Sequence, residues 1–192
     1  MPSFLDALVP FVETCDIIGI PYYIGGSVAC IAHGMPRTTL DVDVVADIQP
    51  IHVPVFVERL QGMYYIQAAD IHDAIAHYSS FNMIHFVSII KIDVFVAPQR
   101  PFDQMKARRA QYRQLSVSNA REFRITSPED IILQKLEWYA LGNQVSERQW
   151  RDVNGVLRVQ GNVLDFAYMR YWAVELQIVD LLEQALVEAH VG

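Results

Sequence analysis

The sequence has few of the features that mark secreted, membrane or zinc-binding proteins. Only two cysteines, Cys15 and Cys30, occur among 192 residues, too few for the disulfide framework of a small secreted domain. No apolar run approaches the roughly 20 residues of a membrane-spanning helix, and the first residues carry no basic leader. The six histidines lack the spacing of a zinc site. We therefore expect a cytoplasmic protein with free thiols and no membrane association.

Positive charge is also scarce. Fifteen lysines and arginines face 22 acidic residues, which gives a net charge of −7. This balance argues against a protein that coats nucleic acid through bulk electrostatics, although it leaves room for a local basic groove. Apolar residues make up 52% of the chain, so its length suffices for a domain with a substantial core.

Two short segments in the first quarter of the chain carry the strongest chemical signal. Gly25-Gly26-Ser27 lies between a predicted strand and a predicted helix, where backbone N–H groups can hold a phosphate. After a spacer of thirteen residues, Asp41 and Asp43 alternate with valines. On a strand this spacing turns both carboxylates to one face, roughly 7 Å apart. Such a face can hold Mg²⁺, which prefers oxygen ligands and shares them with substrate phosphates.

Each segment also has a plainer interpretation. Asp41 and Asp43 could be solvent-facing acids on an edge strand. The two glycines could form an ordinary strand-to-helix turn, and Ser27 could serve only as a helix N-cap. The valines beside the aspartates favour a buried strand, in which ionised acids need partners.

The two segments together resemble the signature of the nucleotidyltransferase superfamily that includes DNA polymerase beta. The resemblance implies an α/β (α+β) nucleotidyltransferase fold, with a short mixed sheet flanked by helices. It also implies a third carboxylate on a later strand, and Asp93 in the apolar segment 89–96 is the candidate. Asp41, Asp43 and Asp93 would then bind two Mg²⁺ ions, or Mn²⁺, and Asp93 would act as the base.

The same resemblance implies nucleotide-binding residues around these acids. Gly25, Gly26 and Ser27 would contact the β- and γ-phosphates. Arg37 and Thr39 precede the Asp pair, where the family often directs a basic or hydroxyl side chain at the phosphates. The alternative for Arg37 and Thr39 is an ordinary loop.

A second match lies in the last third of the chain. Segment 127–136, followed by Arg151-Asp152, resembles the C-terminal helices of abortive-infection toxin nucleotidyltransferases of the AbiEii type. That resemblance implies that Lys135 binds the triphosphate and that Asp152 positions Lys135 or the acceptor. The alternative is a surface lysine and a helical salt bridge.

The pattern of apolar residues and breakers indicates two regions. Residues 1–125 form the predicted nucleotidyltransferase core, and residues 126–192 form a helical region, which starts at Ser127-Pro128. A helix is expected over 102–112 and a hairpin over 115–124. The helix and its flank carry a basic run, interpreted either as a solvated face or as a contact for RNA: Lys106, Arg108, Arg109 and Arg113.

The predicted function is transfer of a nucleoside monophosphate from a nucleoside triphosphate, such as ATP, to an acceptor hydroxyl. Three acceptor classes stay open: RNA, in particular a tRNA 3′ end; a small molecule such as an aminoglycoside; and a protein. The alternative is a non-catalytic nucleotide-binding protein or a member of a toxin–antitoxin pair. The toxin resemblance implies a cognate antitoxin as a partner.

Overall fold

The computed structural model describes residues 4–35, 38–116 and 119–192. Within these ranges the chain divides into two compact units. The first comprises residues 4–28 and 38–108, and the second comprises residues 29–35 and 109–192. No helix in the described ranges is long and apolar enough to cross a membrane. The predicted domain boundary after residue 125 stays a prediction.

The first unit alternates helices and strands along the chain. Its helices are α1 (Phe4–Ile18), the start of α2 (Gly26–Ala32), α3 (Val53–Leu60), α4 (Ala68–His77) and α5 (Pro101–Arg109), whose last residue belongs to the second unit. Its strands are β1 (Tyr22–Ile24), β2 (Asp41–Ala46), β3 (Tyr64–Tyr65), β4 (Ser80–His85) and β5 (Lys91–Val96).

These strands form a mixed sheet in the order β3-β4-β5-β2-β1. The central pair, β2 and β5, runs parallel, whereas β1 pairs with β2, β3 with β4 and β4 with β5 in antiparallel fashion. A parallel pair needs a long crossover, and the segment from α3 to β4 supplies it. The observed mixed sheet and helices confirm the α/β fold class expected from the sequence.

The two faces of the central strands differ in polarity. Val42, Val44, Ile92 and Val94 are fully buried, while the residues between them on β2 and β5 are partly exposed. Aromatic side chains from α1 and α3 belong to the same core, where the Phe11 and Phe56 rings meet edge to face at 5.8 Å. Alternation over residues 41–44 of β2 and along β5 therefore separates an apolar core face from a polar face.

The second unit is mainly helical. It contains β6 (Gln111–Ser116), β7 (Asn119–Ile125), α6 (Pro128–Leu141), α7 (Glu147–Gln160), α8 (Phe166–Glu175) and α9 (Val179–Ala189). The strands β6 and β7 pair as an antiparallel hairpin. Helix α6 begins where the sequence predicts, because the Ser127 side chain accepts a hydrogen bond from the Asp130 backbone N–H and Pro128 occupies the first helical position.

The predicted helix over 102–112 is too long. Helix α5 ends at Arg109, and Tyr112 belongs to β6, where it pairs with Arg124 of β7. Helical propensity and strand pairing compete at residues 110–112, and the non-local hydrogen bonds of the hairpin decide the outcome. The hairpin predicted over 115–124 correspondingly begins earlier, at Gln111.

The basic run on this segment is not a continuous exposed stripe. Lys106 is 2% exposed and its ammonium lies 2.8 Å from a carboxylate oxygen of Asp103. In the second unit, the Arg109 guanidinium lies 2.9 Å from Glu129. The interpretation of the run as a solvated or RNA-contacting face is therefore wrong for Lys106, whose ammonium is buried against Asp103. For Arg109, which is partly exposed and paired with Glu129, it stays a prediction.

His33 gives the second unit a pH-dependent contact. Its buried ring donates a hydrogen bond from Nε2 to the Thr126 carbonyl oxygen at 2.7 Å, and Gln160 donates to the His33 carbonyl at 2.9 Å. Burial lowers the pKa of His33 from its ordinary value of 6.5, Arg113 lowers it further, and the Thr126 hydrogen bond and Glu129 oppose the shift.

A lowered folded-state pKa means that unfolded chains bind the proton more readily. The stability contributed by neutral His33 is therefore fully present above pH 6.5 and is lost as pH falls from there towards the folded-state pKa. We expect His33→Gln, which keeps a donor for Thr126, to flatten the pH dependence of the unfolding free energy in that window by up to about 1.4 kcal/mol per pH unit. Urea unfolding at pH 5 to 8 measures this, and equal slopes for both proteins would contradict it.

Candidate active site

The Gly25-Gly26-Ser27 turn is tied directly to the strand that carries two of the predicted acids. Strand β1 ends at Ile24, and the Gly25 backbone N–H donates a hydrogen bond to the Asp43 carbonyl oxygen at 2.9 Å. Helix α2 begins at the next residue, Gly26. The antiparallel pairing of β1 and β2 therefore brings the turn beside Asp43, although 17 positions separate Gly26 from Asp43 in the sequence.

Both the backbone angle and the surroundings of Gly26 favour glycine. Its φ angle is +53°, in the left-handed region that favours glycine, and a Cβ atom placed there would lie 1.7 Å from Oδ2 of Asp43. The Asp43 carboxylate consequently packs directly on the backbone of the turn. The glycine in the motif thus allows the Asp43 carboxylate to approach the main chain closely, because Gly26 has no side chain in between.

Ser27 is the second residue of α2 and is 5% exposed. The helix begins one residue before Ser27, at Gly26, and the interpretation of Ser27 as an N-cap stays a prediction. The predicted contacts of Gly25, Gly26 and Ser27 with phosphates stay predictions.

The parallel register of β2 and β5 brings the predicted carboxylates onto one face. Asp43 lies opposite Asp93, and Asp41 lies opposite Lys91. Neighbouring strands are about 4.8 Å apart, so residues opposite each other on one face are close neighbours. The Asp93 side chain is 22% exposed, rather than buried as its apolar surroundings in the sequence imply, because Ile92 and Val94 point to the other face.

Lys91 belongs to the same face and was not identified from the sequence. Its ammonium nitrogen lies 2.7 Å from Oδ2 of Asp93, and its side chain is 41% exposed. The hydrogen bond to Asp93 raises the pKa of Lys91, with further contributions from the charges of Asp93, Asp41 and Asp43, while desolvation opposes the shift. The signal available in the sequence was its position two residues before Asp93 on a predicted strand.

The donors on this face suit a hard divalent cation. Carboxylate oxygens of Asp41, Asp43 and Asp93 are the ligands that Mg²⁺ prefers, and a cation, the Lys91 ammonium, already lies against one of them. Across the described ranges, however, no three carboxylate, imidazole or thiol groups are close enough to form a ready-made metal site. The residue types therefore fit a divalent metal, whereas the side chains have not converged on one.

Thr39 and Arg37 precede the Asp pair and were predicted to contact phosphates; the structure describes only Thr39. The Thr39 hydroxyl donates a hydrogen bond to the Asp41 carbonyl oxygen at 2.8 Å and accepts one from the Asp41 N–H at 3.3 Å. These contacts give Thr39 a local role at the start of β2, and its predicted phosphate contact stays a prediction. Arg37 lies outside the residues that the structure describes.

Within the second unit, Lys135 and Asp152 form a buried ion pair. The Lys135 ammonium lies 2.9 Å from Oδ2 of Asp152, and their side chains are 5% and 0% exposed. The ammonium also donates a hydrogen bond to Oε1 of Gln149 at 3.0 Å. Lys135 is therefore not a surface lysine; it connects α6 to α7, and its predicted binding of the triphosphate stays a prediction.

Substitutions of this pair can separate a structural from a nucleotide-binding role. Removing one partner leaves a buried charge, so Lys135→Met and Asp152→Leu should each lower the unfolding free energy by about 3–5 kcal/mol. The double variant should lose less than the sum, as measured by urea denaturation. If Lys135 also binds the triphosphate, the folded double variant should use nucleotide about 10–100-fold less well. Unchanged nucleotide use would assign the pair to structure alone.

The Gly26 geometry predicts a specific defect. In Gly26→Ala the new methyl group should push the Asp43 carboxylate aside, which adds to the roughly 1–2 kcal/mol cost of a left-handed alanine. Gly19→Ala is the matched control, since Gly19 has a φ of +74° but a methyl group added there would meet no neighbouring group within 4 Å. Thermal unfolding should show a larger loss of Tm for Gly26→Ala. Equal losses would mean that Asp43 moves away at no cost.

Of the comparisons with known proteins, only the one with solved structures gives matches. No family model matches the sequence, and no curated protein does. Solved structures do match. One is an antigenic nucleotidyltransferase-like protein from Paracoccidioides brasiliensis, 20% identical, covering 93% of this chain and 90% of that one with a TM-score of 0.54.

The antibiotic-resistance factor ANT(2'')-Ia also matches. Its solution structure is 18% identical, with 89% of this chain and 94% of that chain covered and a TM-score of 0.54. Its complex with adenylyl-2''-tobramycin is 11% identical, with 90% and 96% covered and a TM-score of 0.55. Identities this low establish the fold alone, and the predicted likeness to AbiEii-type toxins stays a prediction. The chain has the nucleotidyltransferase fold.

Proposed function

We propose that this protein is a divalent-metal-dependent nucleotidyltransferase, which transfers a nucleoside monophosphate from a nucleoside triphosphate to an acceptor hydroxyl group. The main support is the register that sets Asp43 opposite Asp93 and keeps Asp41 on the same face. The glycine turn packed against the Asp43 carboxylate adds to it. Both features lie within the first unit and involve the residues that the motif singled out.

The carboxylates of Asp41, Asp43 and Asp93 would hold Mg²⁺, or Mn²⁺. When bound, such ions neutralise charge on the triphosphate and favour ionisation of the acceptor hydroxyl. The protein itself contributes the rigid placement of these ligands, because the buried alternate residues of β2 and β5 prevent either strand from sliding. Gly25, Gly26 and Ser27 would contact the triphosphate, whose approach is eased by the missing side chain at Gly26.

The reaction is an in-line displacement at phosphorus. The acceptor oxygen forms a bond to the α-phosphorus, and the bond from that phosphorus to the oxygen bridging to the β-phosphate breaks. Pyrophosphate leaves with the bonding electron pair. The hydroxyl proton passes to the Asp93 carboxylate and then to solvent. Positioning and charge neutralisation account for most of the acceleration in reactions of this type.

ATP is the first nucleotide to test, because one structural neighbour was solved with an adenylyl-tobramycin product. That neighbour also favours a small-molecule acceptor over RNA or a protein hydroxyl. Two observations on this chain agree: its net charge is −7, and Lys106 and Arg109 are engaged by acids. A polycationic small molecule is attracted by such a charge, whereas an RNA is repelled.

A non-catalytic or toxin–antitoxin role is the weaker alternative. A protein that had lost catalysis would have no need to keep Asp41, Asp43 and Asp93 in register on one face. A cognate antitoxin follows only from the predicted likeness to AbiEii-type toxins.

A cytoplasmic setting is part of the proposal, and the two buried free cysteines, Cys15 and Cys30, agree with it.

Ligand binding and turnover can be separated by substitution. ATP with Mg²⁺ should raise the Tm of the wild type, by an amount equivalent to about 2.7 kcal/mol at a hundredfold excess over Kd. Asp41→Ala/Asp43→Ala should fold but lose this shift. Asp93→Asn should keep much of it and lose about 10²–10⁴-fold in turnover, the scale of a lost general base. Turnover is measured as release of pyrophosphate from ATP, with aminoglycosides, small RNAs and proteins each supplied in turn as the acceptor.

Asp47→Asn is the matched control for these variants. Asp47 is an exposed acid just beyond the end of β2, and its carboxylate accepts a hydrogen bond from Gln49. This variant should behave as wild type in both assays. A Tm shift in Asp41→Ala/Asp43→Ala as large as in the wild type would remove these acids from the metal site, and full turnover in Asp93→Asn would remove Asp93 from the mechanism.

A further inference from the structure

Lys91 lies on the same face of the sheet as Asp41, Asp43 and Asp93. It is the first residue of β5, directly opposite Asp41 and two residues before Asp93. The period of a strand therefore puts its side chain on the same face as the three acids. Its neighbours Ile90 and Ile92 fill the core with 3% and 0% exposure, so the backbone of Lys91 is well anchored while its side chain is partly in solvent.

The Lys91 ammonium makes close contact with a predicted metal ligand. It lies 2.7 Å from Oδ2 of Asp93, the distance of a charge-assisted hydrogen bond. A lysine is a compact point charge on a flexible stem, and it can change partners without moving the backbone. With 41% of its side chain exposed, Lys91 has solvent around it into which the ammonium can move.

An ammonium and a divalent cation compete for one carboxylate. At about 4–5 Å from each other, a monovalent and a divalent cation repel each other even at the dielectric constant of water. Binding of a metal to Asp93 therefore requires that Lys91 move away or that the metal bind more weakly.

We propose that Lys91 is a built-in counter-cation of the active site, which holds Asp93 in the absence of substrate and is displaced when a metal–nucleotide complex binds. This inference rests on the proposed function for the identity of the metal ligands. Lys91 is a positioning residue: it neutralises Asp93 before substrate arrives, and the triphosphate then supplies oxygen atoms that can accept its displaced ammonium. Free metal alone offers no such compensation, so metal and nucleotide bind in a coupled manner.

Mn²⁺ binding without nucleotide tests this coupling. Free Mn²⁺ is measured by electron paramagnetic resonance during titration of wild type, Lys91→Met and Lys91→Arg. Lys91→Met keeps the length of the side chain and removes the charge, so it should bind Mn²⁺ about three- to tenfold more tightly than wild type. Lys91→Arg, which retains the charge, should stay within about twofold of wild type. Addition of a non-hydrolysable ATP analogue should tighten Mn²⁺ binding much more in wild type than in Lys91→Met.

Two controls keep the test decisive. Arg59→Met removes one positive charge from an exposed site on α3 and should leave Mn²⁺ affinity unchanged, which excludes an effect of net charge alone. Lys91→Gln repeats the neutralisation should Lys91→Met fail to fold, as judged by circular dichroism. Mn²⁺ binding to the neutral variants that is no tighter than to wild type, including no binding to either, overturns the proposal.

The inference and the proposed function fail in different ways. Tighter Mn²⁺ binding to Lys91→Met without nucleotide transfer to any acceptor would support Lys91 as a counter-cation and overturn the enzymatic assignment. Transfer by the wild type, together with unchanged Mn²⁺ affinity in Lys91→Met, would support the enzyme and overturn the role of Lys91.

Discussion

The parallel pairing of β2 with β5 is the constraint on which the candidate site depends. Side chains alternate along a strand, so a slip of one residue would turn Asp93 into the core and bring Ile92 or Val94 to the surface. Both of these residues, and Val42 and Val44 on the neighbouring strand, are fully buried. Hydrophobic burial on one face thereby sets the positions of the acids on the other, and the precision of the site derives from the core beneath it.

Carboxylates collected on one face repel one another, and the structure offsets this repulsion in a specific way. Lys91 contributes a positive charge within hydrogen-bonding distance of Asp93. The Asp43 carboxylate packs against Gly26, where no side chain intervenes between it and the main chain. The Lys91 ammonium therefore lowers the net negative charge of this face.

The second unit uses buried charge differently. Lys135 pairs with Asp152, and Arg109 with Glu129, its guanidinium stacked 3.9 Å from the centre of the Tyr168 ring. Burial raises the pKa of Asp130 despite hydrogen bonds from Ser127 and Tyr168 and the nearby Arg109. Desolvation makes such groups costly, and a packing that separated the partners would leave a buried charge unpaired. Buried polar pairs therefore favour one helix arrangement over others.

The sequence by itself determined what depends on neighbours along the chain: the strand–glycine–helix turn, the alternation of Asp41 and Asp43, the Ser127-Pro128 helix start, and through these the fold class. Tertiary structure decided the rest. It paired Asp43 with Asp93, ended α5 at Arg109 in favour of the β6–β7 hairpin, and buried Lys106 and Lys135. It also brought Lys91 against Asp93. These outcomes follow from non-local hydrogen bonds and desolvation, which depend on segments distant in sequence and leave no local pattern to read.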